Sequence, residues 1–306
     1  MCIRDREYAN HTVMSILDFG LCDAVREAFT NSQRGFFAVQ DLLGQDPVYD
    51  RANELVTFFD NHDMPRFLSI CPDHGRLELA TVLLLTLRGI PCLFYGTEQY
   101  LVNSTNGGAD PYNRPMMTSW DVDGVLVGLI RILTALRQEN RALAYGSHRQ
   151  HWINPATYVF SRRYRDNRVL VMLNQGEPLT LGIPQCDLPD GLHRCLLTGE
   201  TVQVTNGSID EIRLEPMARR VFRVVGDSVE TPVVLKVAVN GYATHPGERI
   251  VLTGDCPELG EWDLAASVEL EYINGDCWFA EVPFSRSIGR SIRYKAVVLG
   301  LSLIHI

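Results

Sequence analysis

Asp60-Asn61-His62-Asp63 places two carboxylates and an imidazole within four residues at the end of an apolar strand, Leu55-Val-Thr-Phe-Phe-Asp60, and Met64-Pro-Arg-Phe67 follows directly. In a parallel βα architecture, the C-terminal ends of the strands are where active sites assemble. Taken in isolation, the tetrapeptide is better read as a helix cap or turn, since Asp and Asn favour both. A metal site on Asp60, His62 and Asp63 is disfavoured, because consecutive strand residues point to different sides and no further histidine is suitably placed. The cysteines (Cys2, Cys22, Cys71, Cys92, Cys186, Cys195, Cys256, Cys277) form no CxxC pair and no zinc-like cluster with histidine. They read as mostly buried thiols, with Cys256 and Cys277 a candidate pair.

The elements that must position these residues follow a strand-helix alternation from residue 13 to about 140. Val13 to Phe19 reads as a strand, followed by a helix with Leu21, Ala24, Val25, Ala28 and Phe29 on one face. Leu55 to Asp60 precedes a helix from Arg76 to Arg88. Ile90 to Tyr95 precedes a long loop and a helix from Val125 to Glu139. After Asn140 short alternating strands take over, such as Thr157 to Tyr164 and Arg168 to Asn174, punctuated by Pro184, Pro189-Asp-Gly191 and Asn206-Gly207. This predicts a small antiparallel β-domain ending near Val225. A polar linker, Gly226 to Pro232, leads to a second β-module with strands at Val233–Val239, Arg249–Thr253, Val268–Tyr272, Trp278–Val282 and Ser291–Val298.

Composition sets the outer limits. With 46% hydrophobic and 21% charged residues in 306, the chain is long and apolar enough for two or three folded domains. A formal charge of -9, from 37 acidic against 28 basic residues, argues against a nucleic-acid backbone or an anionic membrane surface as partner. A neutral or cationic ligand is expected. No segment is apolar for the roughly 20 residues needed to span a bilayer.

Three segments in the expected order resemble one family. Phe59-Asp-Asn-His-Asp63, Gly89-Ile-Pro-Cys-Leu-Phe-Tyr-Gly-Thr-Glu-Gln99 and Gly108-Ala-Asp-Pro-Tyr-Asn-Arg114 are similar to glycoside hydrolase family 13, the α-amylase family, and most to its cyclodextrin glucanotransferase and related α-amylase branch. The likeness covers roughly residues 8 to 225. It implies a (β/α)8 barrel with retaining chemistry on α-1,4-glucans, using an aspartate nucleophile, a glutamate acid/base and a third carboxylate. Asp63 matches that third carboxylate and His62 its neighbour, both implied to bind sugar hydroxyls and stabilise the oxocarbenium-like transition state. Asp110 and Arg114 match residues holding glucose units further from the cut. Arg114 is equally suited to a structural ion pair with Asp110 or Asp121.

A second resemblance lies in Val251-Leu-Thr-Gly-Asp-Cys-Pro-Glu-Leu-Gly-Glu-Trp-Asp263, similar to the family 20 carbohydrate-binding, or starch-binding, module. Trp262 matches a tryptophan that stacks on glucose rings and Lys295 the lysine beside it. Trp278 reads as a core residue. The second stacking tryptophan is expected after Lys295, where the chain diverges at about Leu299. Weak or no cyclodextrin binding is therefore expected, and a micromolar dissociation constant by calorimetry would count against it.

Together these readings predict a multidomain protein. Residues 7–140 form the C-terminal part of a TIM barrel (strands six to eight), 141–226 an all-β amylase C-domain, and 232–298 a truncated β-sandwich starch-binding module. Residues 1–6 and 299–306 fit no pattern and are set aside as non-native ends. A full barrel takes ~250 residues, and the matched strands place the nucleophile and acid/base before Met1. The resemblance implies starch, maltodextrins or cyclodextrins as partners, with no nucleic acid or membrane, a secreted monomer when full length, and calcium in the full-length member through ligands mostly upstream. No metal residue or cofactor is assigned within this chain. Hydrolysis and cyclising transfer remain open, with the short linker before the starch module favouring a plain α-amylase. A non-catalytic glucan-binding protein is the alternative of another class.

Retaining chemistry needs two carboxyl groups about 5 Å apart, and no second pair here matches the family's motifs. The chain alone is expected to release no reducing sugar from starch. Measurable hydrolysis would overturn that expectation.

Overall fold

The computed structural model describes residues 3–12, 14–227 and 231–300, in two compact units divided between Val225 and Gly226. Val13, where the first expected strand begins, lies outside the described residues, as do residues 228–230 of the linker and the terminal 301–306.

The first unit begins with α1 (Ile3–His11), so there is no break in structure at residue 6. Next come α2 (Phe19–Thr30) and α3 (Phe37–Leu43), then β1 (Val56–Thr57), α4 (Phe67–Ile70), α5 (His74–Thr86), β2 (Ile90–Pro91), α6 (Val125–Glu139) and α7 (Arg141–Tyr145). The three expected strands are adjacent and parallel. Their ladder is shorter than the sequence suggests: Leu17 makes a single bridge to Val56, and β1 pairs with β2 through Val56–Ile90 and Thr57–Pro91. Gly89 opens β2 with φ +95, and any Cβ there would sit 2.4 Å from the Thr57 side chain, so the close approach of the two segments requires glycine.

Helix α2 starts at Asp18, whose carboxylate accepts the Leu21 amide, and it buries Leu21, Ala24, Val25, Ala28 and Phe29 as the spacing predicts. Helix α5 starts two residues earlier than expected, capped by Asp73. From Leu79 to Thr86 every residue of α5 is buried, because it is enclosed by α2, α6 and the β-sheet that follows.

That sheet has the antiparallel order β10-β5-β4-β3. It consists of β3 (Ser147–Ile153), β4 (Thr157–Tyr164), β5 (Asn167–Asn174) and β10 (Ala218–Val224). Between β5 and β10 lie two hairpins' worth of strands, β6 (Leu179–Ile183) with β9 (Ile209–Leu214) and β7 (Gly191–Arg194) with β8 (Thr201–Val204). Alternation along β4 and β5 sends Tyr158, Phe160, Val169, Val171 and Leu173 into one core with α2, α5 and α6. Val159, Leu170 and Met172 pack on the opposite face against the hairpin strands. The barrel segment and the β-domain therefore share a core.

A buried ionic group closes this unit. Arg88 donates through Nη1 to Asp18 at 2.6 Å and through Nε to Asp46 at 2.7 Å, with a further bond from Nη2 to Asp46. Two carboxylates in a dry site hold Arg88 firmly protonated. Beside it the last carbonyls of α5 and its exit, deprived of water, accept from other arginines: Arg137 bonds Leu85, Leu87 and Gly89, and Arg162 reaches Thr86. Burial lowers Arg137 to about 10 and Arg162 to about 9.

The second unit is a β-sandwich. Its strands are β11 (Val233–Val239), β12 (Arg249–Gly254), β13 (Val268–Glu269), β14 (Glu271–Asn274), β15 (Cys277–Phe284) and β16 (Tyr294–Leu299), in sheets β11-β15-β14 and β13-β12-β16. Ile250, Leu252, Leu259, Trp278, Ala280 and Val282 fill the space between. The expected strand Val268–Tyr272 is two strands in different sheets, turning at the buried Leu270. Cys256 and Cys277 form no disulfide, so the candidate pair is not bonded.

Replacing Arg88 by Met strands two buried carboxylates and is expected to cost roughly 3–5 kcal/mol of unfolding free energy by urea titration; a loss below about 1 kcal/mol would contradict this account. His148 supplies a pH test. Its Nε2 lies 2.7 Å from the Tyr158 hydroxyl, which donates to Gln40. Burial first, then Arg162, Arg88 and His151, hold its pKa well below the ordinary 6.5. The unfolded chain takes up this proton and the folded chain does not, so the stability present above about pH 6.5 is lost as the pH falls through that value. The melting temperature should fall between about pH 7 and 5, and less steeply in His148→Gln. An identical slope in the variant would remove His148 as the cause.

Candidate active site

β1 carries the chain to Asp60, where the run of four residues divides. Asp60 is buried, its Oδ2 accepts the Phe67 amide at 2.8 Å, and burial raises its pKa. It anchors the turn from within. Asn61 accepts the Asp63 amide at 2.8 Å, an Asx turn that swings the next two side chains outward. His62 and Asp63 are 62% and 66% exposed, with Nε2 and Oδ2 3.2 Å apart.

Beyond β2 the chain passes through Tyr95 into a long loop with a cis Asp110-Pro111 bond, and this loop returns to the end of β1. Arg114 is the hub. Its Nε donates to the His62 carbonyl at 2.8 Å, and its Nη2 lies 3.3 Å from Asp63 Oδ1 and 3.0 Å from Asp110 Oδ1. The structure thus brings all four residues, His62, Asp63, Asp110 and Arg114, into one connected, solvent-facing group. The ion-pair alternative for Arg114 is met at Asp110 but not at Asp121, whose backbone instead pairs with the Gln99 side chain. Arg114 serves its carboxylate neighbours while keeping two of them at the surface.

Two further residues of this region escaped the sequence reading. Arg66 is 1% exposed and Asn113 0%, and their bonds run between the two loops. Both stood inside quoted motifs. Nothing in their residue type distinguishes a buried polar side chain from an exposed one.

In the second unit Trp262 stands 43% exposed on a turn whose last three residues, Gly260, Glu261 and Trp262, all have positive φ. Leu259 on the same turn is fully buried, so the turn roots one residue in the core while turning Trp262 outward. Two non-glycine residues in the left-handed region persist only where the surroundings impose it. Lys295 Nζ lies 5.8 Å from the Trp262 ring centroid. Trp278 is a core residue, edge-on to Tyr272 at 5.5 Å.

Among the described residues no three His, Cys, Asp or Glu side chains gather as a metal would require. No residue of the described chain is assigned to calcium, and no step is routed through it. Among the same residues no helix is long and apolar enough to cross a membrane.

A parallel βα segment fused to an antiparallel β-domain, with a carboxylate-histidine group at the strand ends and a separate sandwich presenting a tryptophan, defines an α-amylase-type catalytic fold with an appended carbohydrate-binding module. Comparison with known families agrees. Residues 42–146 match the α-amylase catalytic domain and residues 230–302 the starch binding domain. The chain thus resembles glycoside hydrolase family 13, with the C-terminal part of the (β/α)8 barrel, the β C-domain and a starch-binding module. A cyclomaltodextrin glucanotransferase from Klebsiella oxytoca is 28% identical across 95% of this chain and 48% of its own length, and one from Niallia circulans is 36% identical across 71% and 31%. The chain thus spans less than half the length of these relatives. Among solved structures, CldA, described as a cyclomaltodextrin glucanotransferase with a three-domain ABC distribution, superposes with a TM-score of 0.70 at 38% identity, over 73% of this chain and 47% of CldA. A γ-cyclodextrin glucanotransferase from alkalophilic Bacillus clarkii, at 22% identity, shares the fold with a TM-score of 0.69 over 98% of this chain and 58% of its own.

Proposed function

We propose that this chain is part of a secreted, starch-active retaining enzyme of the α-amylase type, and that it supplies half of the catalytic site together with a starch-binding surface. The observation that carries the reading is the group formed by His62, Asp63, Asp110 and Arg114 at the strand ends. A glucan offers neutral hydroxyls, and this group offers what hydroxyls need: two carboxylates as acceptors, a guanidinium as donor and an imidazole able to do either. In the reaction, charge builds on the sugar ring as the glycosidic bond breaks. Asp63, fixed by His62 on one oxygen and Arg114 on the other, would stabilise that charge. Asp110 and Arg114 would hold a glucose unit further along the chain. The nucleophile and acid/base are assigned to the part of the protein that the relatives carry and this chain does not match. Calcium in the complete protein belongs to the same proposal.

Trp262 and Lys295 would form the surface that keeps the enzyme on its polymer. An exposed indole gives an apolar face for the carbon face of glucose, and the nearby ammonium gives a donor for its hydroxyls.

Cyclising transfer is the second reading, favoured by the names of the relatives from Klebsiella oxytoca and Niallia circulans. Hydrolysis is favoured by the short passage from β10, ending at Val224, to β11, starting at Val233. Chromatography of the products of soluble starch with the complete protein separates them: linear maltodextrins mean hydrolysis, cyclic ones transfer.

In the complete protein, Asp63→Asn should lower kcat by about 10²–10³-fold; an unchanged kcat would overturn its role. Gel mobility of this chain in soluble starch should be retarded, and Trp262→Ala should remove the retardation. Equal retardation of both proteins would exclude Trp262.

A further inference from the structure

Arg66 and Asn113 make no contact with solvent worth the name, yet each side-chain hydrogen bond drawn from them joins the two loops that carry the site. Asn113 Nδ2 donates to the carbonyls of His62 at 2.6 Å and Met64 at 3.1 Å. Arg66 returns the exchange from the other loop, with Nε on the Asn113 carbonyl at 2.9 Å and Nη1 on the Tyr95 carbonyl at 2.8 Å. Its guanidinium also lies over the rings of Phe94 at 4.4 Å and Tyr95 at 4.8 Å. The Tyr95 hydroxyl adds a bond to the Pro115 carbonyl at 3.0 Å.

Among the described residues Arg66 makes no ion pair, although Asp60 acts on it at longer range, and burying a cation in this way costs free energy that an apolar side chain would avoid. What the guanidinium provides in return is direction, because its planar fork holds two carbonyls in a fixed relation, whereas an ammonium's donors rotate freely. Asn113 adds the same service on the opposite loop. The result converges on one atom: the His62 carbonyl accepts both Asn113 Nδ2 and Arg114 Nε. The orientation of Arg114, and through it the separation of Asp63 and Asp110, follows from the clamp.

We propose that Arg66 and Asn113 are positioning residues that preorganise the His62-Asp63-Asp110-Arg114 half-site within this chain, before substrate or the remaining barrel strands meet it. Neither residue reaches the exposed surface, so neither touches a glucan. The proposal deepens the reading of those four residues as glucan contacts and rests on it for its purpose, though the clamp itself can be tested separately.

The test is nuclear magnetic resonance on the full 306-residue chain with arginine side chains labelled. In the unaltered chain the Arg114 Nε–H, bonded to the His62 carbonyl, should exchange slowly with water. Asn113→Asp keeps the side-chain shape but removes both donors, and should speed that exchange by about tenfold while the buried Arg88 signals stay in place. Arg66→Lys, which keeps the charge but loses the fork, should loosen Arg114 in the same way, and it decides the matter if Asn113→Asp does not fold. Unchanged Arg114 exchange in a folded variant would overturn the clamp. Maltohexaose is then added to each protein while the His62 ring signals are followed. A response in the unaltered chain that weakens about tenfold in the variants supports positioning, and an equal response in all of them overturns it. If Arg114 is freed by the variants but maltohexaose moves His62 in none of the proteins, the clamp stands and the glucan reading of the site fails.

Discussion

Helix α5 ends in a place water does not reach, and the way its exit is neutralised governs the rest of the first unit. Carbonyls at the C-terminus of a buried helix carry partial negative charge and must find donors. Arg137 and Arg162 supply them, one from α6 and one from the β-sheet. The next residue, Arg88, turns the other way and joins Asp18, before α2, to Asp46, after α3. One short stretch thereby fixes three parallel segments, two helices and a β-domain relative to one another. Gly89 and β2 begin from that point, so the path of the loop that returns to Asp63 is set by it.

The site follows from this order of construction. β1 delivers Asp60 to the interior and His62 and Asp63 to the surface, with the Asn61 turn dividing them. β2 delivers a loop whose Arg114 arrives from the other side. Four charged or titratable groups share a small area, where Arg114 between two carboxylates offsets their repulsion and His62 can act as donor to the one beside it. A carboxylate held in this manner keeps its direction, which stabilising a developing cation requires.

How much of this the sequence discloses depends on the kind of signal. Helix α6 and strands β4 and β11 are found at the residues expected, since each carries a strong period bounded by polar or turn residues. The parallel strands shrink to a bridge and two residue pairs, because an apolar run records burial and not the extent of pairing. Leu270 shows the same limit: alternation continues through it although the chain changes sheets there. Helix α3, seven residues long, offers too few turns for its period to register. His62, Asp63, Asp110, Arg114, Trp262 and Lys295 were legible through motif resemblance, and Trp278 was legible as core from its place on an alternating strand. Arg66 and Asn113 were not, because a polar side chain's burial depends on which distant carbonyls meet it.

The central claim is that the exposed group at the strand ends and the tryptophan of the sandwich both recognise α-glucan. A crystal structure of the chain soaked with maltohexaose tests it most directly. The account predicts sugar hydroxyls within hydrogen-bonding distance of Asp63, Asp110 and Arg114, and a glucose ring lying on Trp262 beside Lys295. Glucan bound elsewhere on the first unit, with His62, Asp63, Asp110 and Arg114 left untouched, would contradict it.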